Sequence, residues 1–185
     1  MNALTVNGKQ LTIDGVEILG YDELGYKTVQ IGTQTWMAEN LQDDDSLGGI
    51  YTAHPIANGY DMGVQHYYTW EAATRIAQNY PGWHLATTAD FNTLTAYAGA
   101  NSTAACQALR STSGWNSTNG TDLYGYNCLP AGGIEPGGRF FNAGVEGTVW
   151  EAENHYRIYM LYNNTMVNGY EGAAYKFPIR LVKNS

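Results

Sequence analysis

The sequence predicts an α+β domain, with two helices on a small mixed, loop-rich sheet and a short β meander at the N-terminus. Three observations carry this expectation. Of 185 residues, 22 are Gly, 15 Tyr and 5 Trp, a palette of turns and short strands rather than of a helix bundle. Two segments, Trp70 to Asn79 and Thr88 to Ala98, read as helices. The runs Tyr26 to Ile31, Tyr156 to Tyr162 and Lys176 to Val182 read as strands.

From the N-terminus, Asn7-Gly8 stands between Leu4-Thr5-Val6 and Leu11-Thr12-Ile13, and Asp14-Gly15 precedes Val16-Glu17-Ile18-Leu19. Asn-Gly and Asp-Gly favour two-residue hairpin turns because both central residues take positive φ. Residues 1–25 therefore read as a three-stranded meander. It is too small to be stable alone, and its expected use is attachment or oligomerisation. The main domain spans 26–185. Gly32-Thr33-Gln34-Thr35 is a turn, and the polar residues 43–66 read as a long loop. The first helix ends before Pro81-Gly82. In the second, Thr88 is the expected cap, Phe91 and Leu94 lie three apart, and Gly99 is the stop signal. Ser102 to Arg110 is a short further helical piece, and residues 111–147 are Gly-rich loop. No internal repeat is present.

Composition excludes several functions. A formal charge of -8 with nine Lys and Arg leaves no phosphate-binding footprint, so nucleic acid and anionic membrane surfaces are disfavoured partners. No apolar run reaches the length of a membrane span. Met1 to Gln10 lacks a basic start followed by an apolar stretch, so no signal peptide is read. Cys106 and Cys128 fit no zinc or redox motif; two buried thiols and a disulfide both remain open. His54, His66, His84 and His155 have no partner at metal-ligand spacing. Asp43-Asp44-Asp45 lacks the spacing of a calcium loop, and Glu151 and Glu153 are no more than an i, i+2 pair. No cofactor, metal or catalytic residue is expected.

The distinctive stretch is Asn154 to Tyr175, with five Tyr, four Asn and one Arg. Tyr supplies large contact area at low entropic cost and Asn adaptable hydrogen bonding, the palette of binding loops.

The order of blocks along the chain adds a resemblance. They are Tyr26-Lys-Thr-Val-Gln-Ile-Gly-Thr-Gln-Thr-Trp-Met-Ala-Glu-Asn-Leu41, Tyr68-Thr-Trp-Glu-Ala-Ala73, Gly82-Trp-His-Leu-Ala-Thr87, Asp90-Phe-Asn-Thr-Leu94, Tyr124-Gly-Tyr-Asn-Cys-Leu-Pro-Ala-Gly132, Val149-Trp150-Glu-Ala-Glu153 and Phe177-Pro-Ile-Arg-Leu-Val-Lys183. Together they resemble the Fibrobacter succinogenes major paralogous domain, a bacterial and phage family similar to C-type-lectin-like folds. The first block is long and specific; the others are individually weak. Ala86 stands where the family usually has Pro, and Val149-Trp150-Glu151 where it prefers aromatic-Trp-Ser. The resemblance implies a C-type-lectin-like fold with Trp36, Trp83 and Trp150 in the core and the two ends of the domain on neighbouring strands. The sugar-and-calcium motifs of true C-type lectins are absent.

Some members of the family are targets of diversity-generating retroelements, which mutate adenines in a C-terminal segment rich in Asn codons. Asn154 to Tyr159, and Leu161 to Thr165, are all reachable from AAC by adenine changes alone; Met160 and Met166 are not. With strand alternation and the family's alternation of fixed and variable positions, Ile158, Met160, Tyr162 and Val167 are expected to point inward. The ligand-binding set is then Glu153, Asn154, His155, Arg157, Tyr159, Leu161, Asn164, Met166, Asn168, Tyr170 and Glu171. The implied function is non-enzymatic binding of a protein or glycan receptor on a target cell surface, by a phage tail-tip protein or a bacterial surface adhesin, either of which can form a homo-oligomer. A formylglycine-generating-like enzyme, whose chemistry uses a close cysteine pair, and a purely structural surface protein are the alternatives.

Overall fold

The structure is a computed structural model that describes residues 5–6, 9–10, 12–13, 16–17, 25–44, 46–99, 102–153, 155–161 and 166–184. Near the N-terminus are β1 (Thr5–Val6), β2 (Lys9–Gln10), β3 (Thr12–Ile13) and β4 (Val16–Glu17). β1 pairs with β2 and β3 with β4, both antiparallel. Among the described residues the expected three-stranded meander is thus corrected to two separate pairs, Thr5–Val6 with Lys9–Gln10 and Thr12–Ile13 with Val16–Glu17.

The remaining elements are β5 (Thr28–Ile31), β6 (Gln34–Met37), β7 (Ile50–Ala53), β8 (Ile56–Ala57), β9 (Tyr60–Asp61), β10 (Gln65–Tyr68), α1 (Trp70–Ala77), β11 (Trp83–Leu85), α2 (Thr88–Ala98), α3 (Ser102–Leu109), β12 (Gly133–Ile134), β13 (Phe140–Phe141), β14 (Glu146–Trp150), β15 (Tyr156–Leu161), β16 (Met166–Tyr170) and β17 (Leu181–Lys183). The largest sheet has the order β11-β17-β6-β5, and a second has the order β14-β15-β16. The other sheets among the described residues are two-stranded.

This corrects the fold class. Among the described residues three helices are present, not two, and several small open sheets replace the single C-type-lectin-like sheet. Every ladder between named strands is antiparallel, so the sheet is not mixed; among the described residues the one parallel pairing is the isolated bridge between Arg110 and Cys128. The physical reasons are local. Ala105, Cys106 and Leu109 bury one side of Ser102–Leu109, making it a packed helix in its own right. Strands of two to six residues, separated by Gly-rich connections, are too short to share one continuous ladder. Residues 43–66, expected as loop, contain β7, β8, β9 and part of β10. The closing strand lies beside β6, one place in from β5, rather than beside the first strand of the domain.

Turn and cap chemistry set the ends of several elements. Gly32 joins β5 to β6 at φ +60, and a Cβ there would sit 2.8 Å from the Tyr97 ring. Thr69 caps α1 by accepting Ala72 N–H. Thr87, one residue before the expected Thr88, caps α2: its hydroxyl accepts Asp90 N–H while the Asp90 carboxylate accepts Thr87 N–H, a reciprocal capping box.

The core lies on both sides of the central strands. On β6, Trp36 packs with Ile31, Phe91, Leu94, Leu109 and Tyr126, whereas the next residue, Met37, packs with Leu41, Tyr68, Ile76 and Phe177. Val149 and Trp150 of β14 divide in the same way, as do Val182 and Leu181 of β17. Alternation across a strand with both faces covered makes such a strand apolar throughout. Trp36, Trp83 and Trp150 are 0%, 9% and 0% exposed, core residues as expected. No helix among the described residues is long and apolar enough to cross a membrane.

Candidate functional site

The Tyr- and Asn-rich segment forms the outer part of the β14-β15-β16 sheet. All five residues of β14 are buried, so this strand is the foundation on which β15 and β16 are hung. The register pairs Val149 with Ile158 and Trp150 with Arg157. It then pairs Tyr156 with Tyr170, Arg157 with Gly169, Ile158 with Asn168, Tyr159 with Val167 and Met160 with Met166. The expected inward and outward sets divide the last three of these pairs.

Arg157, expected to point outward to a ligand, is only 8% exposed. Its Nε and Nη2 donate to Glu171 Oε1 at 3.1 and 2.6 Å, and Nη1 lies 3.5 Å from Glu146 Oε2. Its guanidinium carbon stands 4.9 Å from the centre of the Phe177 ring, and Trp150 packs edge-on against that ring at 4.8 Å. A guanidinium buried this far is tolerated because carboxylates flank it and an aromatic face lies under it. Ile158 is also buried, in the cluster with Val149 and Leu94. Glu171, another expected ligand contact, thus braces Arg157.

Glu153 and Glu151 frame the N-terminus of α2. The Glu153 carboxylate accepts Thr88 N–H at 3.0 Å, and Glu151, wholly buried, accepts the Thr88 hydroxyl at 2.5 Å. Negative charge is favourable there because the first-turn N–H groups lack intrahelical partners. Glu153 therefore ties the entry of the segment to α2, while its side chain remains exposed.

His155 takes a positive φ of 58. Its Nε2 lies 3.2 Å from Glu71 Oε1, and its ring sits 5.0 Å from Trp70 and 6.0 Å from Tyr170. Burial raises the Glu71 carboxyl, but its own backbone N–H and the His155 contact outweigh this and hold it below its ordinary value. Tyr170 is 62% exposed. Trp70, Glu71, His155 and Tyr170 thus form a partly open aromatic and charged rim at one end of the β15–β16 ladder. Sequence reasoning placed Trp70 and Glu71 in a helix and gave them no role; their presence in the family-like block Tyr68 to Ala73 was the available signal. For Tyr159, Leu161, Met166 and Asn168 the structure describes backbone pairing only, and Asn154 and Asn164 lie outside the described residues.

Elsewhere, His84 is a satisfied structural residue, with Nε2 2.9 Å from Asp90 and Nδ1 2.7 Å from Asn184. Cys106 and Cys128 are both free and buried. Burial raises their thiols to about 12 and about 11, respectively, so both are protonated at neutral pH. Among the described residues no group of three or more His, Cys, Asp or Glu is placed to hold a metal ion.

Residues 29–183 match the Fibrobacter succinogenes major domain, and the chain belongs to that family. No curated protein and no solved structure matches it.

Proposed function

We propose that this protein is a non-enzymatic binding module whose recognition surface is carried by β15, β16 and the connection between them. The supporting observation is the contrast between foundation and surface: β14 is buried at every position, while the segment hung on it is Tyr- and Asn-rich and ends in the exposed Tyr170. A rigid base bearing an adaptable polar and aromatic edge is the arrangement a recognition surface needs. The partner is a protein or glycan receptor on a target cell, and the setting is a phage tail tip or a bacterial surface, with residues 1–25 as the attachment or oligomerisation element.

The segment is diversified by a retroelement acting on adenines, within limits set by packing. Arg157 and Ile158 are reachable from AAC, yet both are buried and their contacts are specific. Variation should therefore spare these two and fall on positions such as His155, Tyr159 and Asn164. Deep sequencing of the gene across a population tests this. Adenine-confined substitutions in codons 154–165 that avoid 157 and 158 support it; substitutions spread evenly over all codons and bases overturn it. Binding itself is tested by replacing Tyr159, Asn164 and Tyr170 together by Ala and measuring attachment to the target cell alongside the thermal midpoint. Loss of attachment at an unchanged midpoint is expected, because a few aromatic anchors dominate most interfaces. Retained attachment, or loss of the folding transition, argues against this surface.

A further inference from the structure

A second site lies away from the β14-β15-β16 sheet, in a cleft of about 480 Å³ between β9, β10 and the segments around Asn40 and Asn127. That size is within the range of roughly 300–1,000 Å³ common for small-molecule sites. Its floor is a fixed chain of side-chain amides. Arg180, 1% exposed, donates from Nε to Asn40 Oδ1 at 2.8 Å; Asn40 Nδ2 donates to Gln65 Oε1 at 2.8 Å; Gln65 Nε2 donates to Met62 O at 2.9 Å. The guanidinium is otherwise engaged with Tyr126 O and, at 2.9 Å, with Asn127 O. The buried cation sets the orientation of Asn40, since only its oxygen can accept from Arg180, and that in turn sets Gln65. A charged donor behind the chain also polarises each amide after it.

We infer that this cleft binds a neutral saccharide unit. Each primary amide is both donor and acceptor. Asn40 and Gln65 use one N–H each in the chain and line the cleft, and Gln42, whose Nε2 donates to Asn40 O at 3.2 Å, adds a third amide at the rim. Sugar hydroxyls are likewise donor and acceptor at one atom, so they complement an amide-lined floor better than a purely donating or accepting ligand does. Tyr60, 38% exposed on β9, supplies an aromatic face at the rim, whose negative quadrupole favours the C–H face of a sugar ring. Charge argues against an anionic ligand. Glu39 stands on the cleft wall, and all three nitrogens of Arg180 are already donating within the protein. This site is independent of the recognition surface proposed for β15 and β16.

The test is a titration of the ¹⁵N-labelled full chain with the methyl glycosides of glucose, galactose and mannose, with maltose and cellobiose, and with glucuronate and glucosamine as charged probes. The expected result is saturable movement of the Asn40, Gln42 and Gln65 side-chain NH₂ resonances by at least one neutral sugar, with glucuronate binding at least about tenfold more weakly. Tyr60→Ala and Gln42→Ala should each weaken that sugar about tenfold, the size expected for loss of one good aromatic or polar contact. Tyr170→Ala should leave it unchanged. The inference is overturned if no neutral sugar in the set moves these resonances, if glucuronate or glucosamine binds as tightly, or if both rim variants bind like the wild type.

Discussion

One carboxylate oxygen of Glu171 takes two N–H groups of Arg157, at 2.6 Å from Nη2 and 3.1 Å from Nε, across the β15–β16 ladder. Arg157→Ala leaves Glu146 and Glu171 with the space of a lost guanidinium between them, in surroundings that are largely buried. Removing one member of a buried ion pair costs about 3–5 kcal/mol, and urea unfolding should show a loss of that order. A loss below about 0.5 kcal/mol, the range of ordinary surface changes, would return Arg157 to the ligand-contacting set.

The α2 cap makes a pH-dependent contribution. Burial pushes the Asp90 carboxyl up, but hydrogen bonds from the Thr87 hydroxyl and amide, together with His84, outweigh it and bring it below its ordinary value. A carboxyl lowered in the folded state stabilises the protein above its unfolded value, about 3.9, and this stability is lost as pH falls through the folded value. Asp90→Asn should cost about 0.5–2 kcal/mol at pH 7, and the gap to wild type should close below about pH 4. Thermal midpoints measured from pH 7 down to pH 3 read both effects; a gap that persists undiminished at pH 3 would contradict the assignment.

The buried thiols should be chemically silent. With values raised to about 11 and about 12, about one in a thousand or fewer is thiolate at pH 8. Iodoacetamide should leave Cys106 and Cys128 unmodified in the native protein and label both in denaturant. Rapid native labelling of either would show a thiol that is neither buried nor raised.

Gly147 marks a close approach on β14. A Cβ there would stand 2.5 Å from Cys128 Sγ, 3.0 Å from Leu129 O and 3.2 Å from Trp115. Gly147→Ala should destabilise by about 1–3 kcal/mol through overpacking. Gly137, which has no neighbour within 4 Å of its built Cβ, should accept Ala within about 0.5 kcal/mol. Equal denaturation midpoints for the two variants would contradict this packing.

The parts of the fold legible in the sequence were those with strong local signals. Trp36, Trp83 and Trp150 were identifiable as core because they stand in the family-like blocks among small residues. The second helix was visible from Phe91, Leu94 and Gly99, although its cap fell one residue early. β7 and β10 were not legible. Gln65–Tyr68 is buried at all four positions and Tyr51-Thr52 is exposed, so neither strand shows a period of two. The role of Arg157 was hidden because Glu146 and Glu171 lie 11 and 14 positions away, and a lone Arg in a Tyr- and Asn-rich run reads as a contact residue. The amide chain of the cleft joins residues 40, 65 and 180, a distance in sequence at which no local pattern speaks.

Leu181–Lys183 occupies an interior place in the largest sheet, between β11 and β6. On the ribosome, β6 and β11 are made long before the strand that joins them, so each waits with an unsatisfied edge while residues 38–180 and 86–180, respectively, are added. Closure of that sheet accordingly waits until Leu181–Lys183 has emerged. During that interval the nascent protein presents an open slot in which a strand from another molecule competes with its own.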